Sequence, residues 1–197
     1  MRRFGWLLVL VLGFTMCGAA YAAFPPIPAE EINPGFVYIG PIGDGGWTFM
    51  HEKGRLEMEE KYPGVKSVFV ESIPESHDAA RVFETMIRNG SKVIFGTTFG
   101  YMDFILEVAN KYPDVIFMHC SGYKDAPNMG TYFGRMYQAR YLSGLVAGKM
   151  TKNNKIGFVG AHPIPEVIRG INSFTRGVRR ANPDAEVQAV KDLIKES

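Results

Sequence analysis

The sequence predicts an α/β fold with a mainly parallel sheet, and three observations point there. Short apolar runs alternate with stretches that carry apolar residues at three- and four-residue steps. The runs are apolar on both faces, as strands are when helices cover each side of a sheet. Three helical stretches end on related proline stops, Lys61-Tyr62-Pro63-Gly64, Lys111-Tyr112-Pro113-Asp114 and Ala181-Asn182-Pro183-Asp184, each followed by a strand-like run.

Taken in order, residues 1–22 read as a cleaved secretory signal. Met1-Arg2-Arg3 is a positive start, Phe4 to Met16 is mostly apolar, and Ala20-Tyr21-Ala22 is an A-x-A cleavage site. The apolar stretch is shorter than the roughly 20 residues a bilayer crossing needs. Cys17 offers a rival route, a lipid anchor, which bulky Met16 disfavours. The expected location is therefore periplasmic, with mature Ala23 first. Residues 23–35 are proline-rich and read as an extended lead-in. Strands are then expected at 36–40, 66–71, 92–96, 115–119, 130–133 and 155–160, with a further one at 186–190. Helices are expected at 47–61, 77–89, 101–111, 135–150 and 165–181. Val82, Phe83, Met86 and Ile87 show the helical step. Two strands and one helix cannot cover their own apolar faces, so residues 151–197 either extend the sheet of residues 36–150 or open a second lobe.

Composition excludes several classes. The chain has 197 residues and is 46% hydrophobic, enough for a substantial core. Removing Arg2 and Arg3 from the 22 basic residues leaves balance with the 20 acidic ones, and no basic run stands out, so nucleic-acid binding is not expected. After cleavage Cys120 is the one cysteine left, which leaves no internal disulfide. His51, His77, His119 and His162 lack metal-ligand spacing, so no metal or cofactor is expected. No G-x-S-x-G elbow is present and nothing supplies a nucleophile, so the chain does not read as an enzyme.

The stretch that carries chemistry is Phe36–Gly54, FVYIGPIGDGGWTFMHEKG. Its glycine-rich turn sits at the carboxyl end of the first strand, where α/β proteins bind ligands. The spacing is not a dinucleotide fingerprint, no Walker lysine follows, and the Trp47 indole would crowd a phosphate. Trp47 could instead stack on a flat ligand. Asp44 could accept its N–H groups and Thr48 could add a hydroxyl. A cap role for Asp44 and a core role for Trp47 are equally open on the residues alone. Thr97, Phe99 and Tyr101 follow the third strand at the equivalent mouth, and Tyr137 opens the fourth long helix.

The blocks GPIGDGGWTFMHEKG, GTTFGYMD, YQARYLSGLVAGKM and KIGFVGAHPIPEVIRGINSFTRGVRRANPDAEV resemble, in that order, the BMP family of ABC-transporter substrate-binding proteins. The resemblance implies a type 1 periplasmic-binding fold with a complete Rossmann-like first lobe and the start of a second. It implies capture of a purine nucleobase or nucleoside, delivery to an ABC permease, and a monomer. In that family an acid before the first helix contacts the base and an aromatic three residues on stacks against it, positions that are Asp44 and Trp47 here. Trp47 replaces the usual phenylalanine and Thr48 the usual asparagine, a change compatible with a free base such as adenine. The fold also serves sugars, and a nucleoside-processing enzyme is the alternative from another class. The resemblance fades near Val190, so residues 23–197 alone are expected to bind purines weakly or not at all.

Overall fold

Five short parallel strands order the first part of the chain: β1 (Gly35–Val37), β2 (Val68–Val70), β3 (Val93–Gly96), β4 (Ile116–Cys120) and β5 (Met129–Tyr132). They align in the order β2-β1-β3-β4-β5. This computed structural model describes residues 26–191. The expected leader and Cys17 lie outside the described residues. The chain divides into two units, one ending at Tyr132 and one beginning at Phe133.

In the first unit the sheet has two chemically different faces. Register places Val37, Ile94, Phe117 and Met129 on one face. There they form the core with Phe83 and Met86 of α3 (His77–Arg88) and Ile105 and Val108 of α4 (Met102–Lys111). Alternation turns Phe36, Phe95 and Met118 to the opposite face. Phe36 and Phe95 stack there with ring centroids 4.4 Å apart. That face meets α2 (Trp47–Lys61), which crosses from β1 to β2.

The lead-in differs from its extended reading. Residues Ala29–Ile32 make one helical turn, α1, begun after Pro28 with Glu30 and Glu31 in its first turn. β1 and β2 are shorter than expected, although the Tyr38 N–H still donates to the Val70 carbonyl at 2.9 Å. β4 joins β5 without a helix, and Asn128 closes that connection. Its buried amide nitrogen lies within 3.0 Å of the Ala109, Tyr112 and Val115 carbonyls, which satisfies the end of α4.

The second unit holds α5 (Met136–Met150), α6 (Pro165–Ala181) and the parallel pair β6 (Lys155–Gly160) and β7 (Glu186–Lys191). The sequence drew its boundary after residue 150. The structure groups α5 with α6 because glycines let the two helices touch backbone to backbone. A Cβ on Gly144 would stand 2.1 Å from the Phe174 carbonyl oxygen, and one on Gly148 2.7 Å from that of Val178.

Candidate functional site

The carboxyl ends of β1, β3 and β4 place their following loops side by side. After β1 the chain makes a 3-10 turn over Ile42–Asp44, passes Gly45 at φ 62° and enters α2 at Trp47. Gly45 suits that left-handed position because it has no Cβ. Asp44 closes the turn on itself. Its Oδ1 accepts the N–H groups of Gly46 and Phe49 at 2.7 and 3.0 Å, and its Oδ2 accepts that of Thr48 at 2.9 Å. A carboxylate offers about four acceptor positions, so one remains, on Oδ2. The Gly46, Phe49 and Thr48 amides hold the Asp44 carboxyl below the usual aspartate range. The Thr48 hydroxyl adds a small pull in the same direction without forming a hydrogen bond, and it is buried.

Asp44 therefore caps α2, and the acid response follows in sign. Its pKa is depressed in the fold, so its stabilisation is complete above the unfolded value of about 4 and is lost as pH falls through the lower folded value. Acid titration followed by circular dichroism should show α2 loosening below about pH 4. An Asp44→Asn chain should lack that step.

Trp47 is pinned rather than packed away. Its Nε1–H donates to the Thr97 carbonyl at 2.7 Å, which ties the β1 mouth to the β3 mouth. The side chain stays 37% exposed, with the His51 ring 4.9 Å away between centroids and tilted at 56°. The neighbouring loops are stitched in the same way. Glu71 Oε2 accepts the Ile42 N–H at 2.7 Å, and Glu75 Oε1 accepts the Thr98 hydroxyl and the Gly100 N–H at 2.6 and 2.9 Å.

The other sequence-selected residues divide. The buried Thr97 hydroxyl donates to the Val37 carbonyl at 2.8 Å, so its side chain serves the sheet and its carbonyl serves Trp47. Tyr101 is fully buried, edge-on to Phe83, with its hydroxyl on the Ile73 carbonyl at 2.5 Å. Burial pushes its phenol well above the ordinary value. Phe99 is half-buried near Tyr123. Tyr137 falls in the second unit, where its carbonyl accepts the Ser173 hydroxyl at 2.6 Å.

Sequence reasoning missed Glu75 and His119. His119 is fully buried and its Nε2 lies 2.8 Å from the Thr98 carbonyl. A carbonyl only accepts, so Nε2 carries the proton, and burial lowers the imidazole pKa and keeps it neutral. Gly122 sits against the other ring nitrogen, Nδ1, which has no hydrogen-bond partner. A Cβ on Gly122 would come within 1.9 Å of it. Gly122→Ala should cost about 1–3 kcal/mol in a denaturant titration by forcing the ring away from Thr98. The signal for both residues was positional, since each follows or ends a strand at the mouth. Among the described residues no group of three histidine, cysteine or acidic side chains could hold a metal ion. No described helix is long and apolar enough to cross a membrane.

Comparison with known proteins bears on this mouth. A purine-binding protein of Brucella abortus is 44% identical over 184 residues, covering 93% of this chain and 51% of that protein. A putative ABC transporter glucose-binding protein of Haloferax volcanii is 46% identical over 160 residues, covering 81% of this chain and 41% of that protein. The chain thus spans about half the length of the curated relatives it matches. Among solved structures, a solute-binding protein of an Aeropyrum pernix ABC transporter shares the fold at a TM-score of 0.64 and 22% identity, over 80% of this chain and 47% of that one. A solute-binding protein from Conexibacter woesei does so at 0.58 and 23%, over 80% and 53%. The family model for PnrA-like ABC transporter substrate-binding proteins matches residues 32–192, and the chain belongs to that family.

Proposed function

We propose that this chain serves an ABC importer as an extracytoplasmic substrate-binding component, taking a purine base or nucleoside at the β1 mouth for delivery to a membrane permease. The observation that carries the reading is Trp47, whose indole is fixed by its N–H bond to Thr97 while its side chain stays partly exposed at the mouth that also holds Asp44. With its one donor occupied, the indole has only its face to offer a ligand. The remaining acceptor position on Asp44 Oδ2 suits a single ring or exocyclic N–H. One stacking face and one acceptor suit a flat base such as adenine. The name of the Brucella relative supports a purine.

A sugar is the second reading, favoured by the name of the Haloferax relative and by the ability of tryptophan to stack on a pyranose. Isothermal titration of adenine, adenosine and glucose separates the readings. The protein to use joins residues 23–190 to the remaining part of the Brucella relative. Adenine is expected to bind at least as tightly as adenosine, and glucose not at all. Adenosine bound far more tightly than adenine would overturn the preference for a free base, and glucose binding alone would overturn the purine reading. Residues 23–197 by themselves are expected to bind no purine at micromolar concentration.

A further inference from the structure

α2 is built inside out. Its buried positions are Thr48, Glu52 and Arg55, at 1%, 8% and 7% exposure, whereas Phe49, Met50 and Leu56 are 44%, 58% and 50% exposed. Positions 48, 52, 55 and 59 recur at helical steps and share one stripe. The helix thus meets the sheet through polar groups, and apolar burial does not decide where it sits.

Directional bonds decide it instead. Arg55 Nε and Nη2 donate to Glu52 Oε2 and Oε1 at 2.7 and 2.6 Å, a two-pronged contact. Arg55 Nη1 reaches Ser67 Oγ at 2.9 Å and Glu59 Oε1 at 3.2 Å. The guanidinium also lies 4.9 Å from the Phe69 ring centre. The fully buried Tyr38, next after β1, donates its hydroxyl to Glu52 Oε2 at 3.0 Å. Ser67, just ahead of β2, donates its N–H and hydroxyl to Glu59 Oε1 at 2.8 and 2.7 Å. The stripe is thereby bonded to the residue that follows β1 and to the approach to β2, and it touches β2 through the Phe69 ring. A planar fork held at both prongs fixes the rotation of the helix as well as its distance from the sheet. Trp47 is the first residue of that helix, and Asp44 is bonded to its opening amides.

We propose that Glu52 and Arg55, together with Tyr38, are positioning residues for the ligand mouth. They set the rotation of α2, and through it the plane of the Trp47 indole and the direction of the open acceptor on Asp44. The inference rests on the reading of the mouth as a purine site, yet the positioning itself can be observed without ligand. A chain that starts at Ala23 has Trp47 as its sole tryptophan, so its indole N–H gives one signal in a proton–nitrogen correlation spectrum.

Arg55→Lys keeps the charge and loses the fork. It is expected to shift the indole signal and to reduce its exchange protection about tenfold or more, under conditions where the chain stays folded. Tyr38→Phe removes one hydroxyl and keeps the ring, and should move the signal less, in the same direction. If Arg55→Lys does not fold, the Tyr38→Phe result decides alone. A purely stabilising role would lower the melting temperature and leave the folded-state indole signal and its protection as in the parent chain. That outcome overturns the proposal. Adding millimolar adenine to residues 23–190 joined to the remaining part of the Brucella relative, with the Trp47 signal identified by a Trp47→Phe variant, separates the two readings. An unmoved indole signal there counts against the purine mouth, while the positioning role stands or falls on the ligand-free variants.

Discussion

Glu52→Leu is expected to destabilise the first unit by about 3–5 kcal/mol, because it leaves the Arg55 charge buried without its two-pronged partner. Arg55 and Glu52 have side chains only 8% and 11% exposed, so water cannot replace the lost contact. The fork draws the Glu52 carboxyl below its ordinary range against the pull of burial, and it raises Arg55 further above neutrality. Neither group escapes its charge by titrating at neutral pH. Replacing both partners behaves differently. Glu52→Leu with Arg55→Met should recover part of the loss, since an apolar pair of similar volume avoids the desolvation of two ions, while the buried Tyr38 hydroxyl stays without its acceptor. Urea titrations followed by circular dichroism measure both steps. The double variant has a second use. It should regain that part of the stability without regaining the parent indole signal, which separates holding the helix on the sheet from aiming it.

Gly177→Ala is expected to cost the second unit about 3 kcal/mol. The new Cβ would stand 2.2 Å from the Tyr141 carbonyl oxygen and 3.0 Å from the Leu145 nitrogen. Both are backbone atoms of α5, so no side chain can swing aside and the two helices must separate. Separation would strip packing from Val178, which is fully buried, and from the backbone contacts of Gly144 and Gly148. This unit pairs only two described strands, so it has little other packing to draw on. Gly170→Ala is the control on the same helix. Its Cβ would meet only the Arg140 side chain at 3.8 Å. That change should be neutral, or stabilising by up to about 1 kcal/mol through helix propensity. Hydrogen exchange resolved on α5 and α6 would report both variants within one unit.

The order of strands and helices was legible because periodicity and proline stops are local signals. Pro63, Pro113 and Pro183 each lie just past a helix that the structure ends at Lys61, Lys111 and Ala181. The helical turn at Ala29–Ile32 was hidden because four residues carry no period. The grouping of α5 with α6 depends on Gly144 meeting Phe174 across 30 positions, which no local pattern encodes. At the site the sequence located the mouth and left two roles open for Asp44. The structure shows the cap, with one acceptor position remaining beside it. Thr97 and Tyr101 stood out as polar and aromatic residues at the mouth. Yet a hydroxyl bonded into the sheet and a phenol bonded to Ile73 look the same in sequence as free ones. The polar stripe of α2 escaped notice for a related reason. Glutamate and arginine on a helix ordinarily mark its wet side, and only the partners Tyr38 and Ser67 show that here they face inward.

The three carboxylates that stitch the rim have an electrostatic consequence. Asp44, Glu71 and Glu75 accept hydrogen bonds from amides and a hydroxyl, and these neutral donors do not cancel a formal charge. The field of these three acids reaches roughly a Debye length of 8–10 Å in physiological salt. On the proposed reading a neutral base crosses that field freely, whereas the doubly charged tail of a nucleotide is turned away before it reaches the indole. The rim would then sort salvageable purines by phosphorylation state, and raising the ionic strength would blunt the sorting without weakening the capture of the uncharged base.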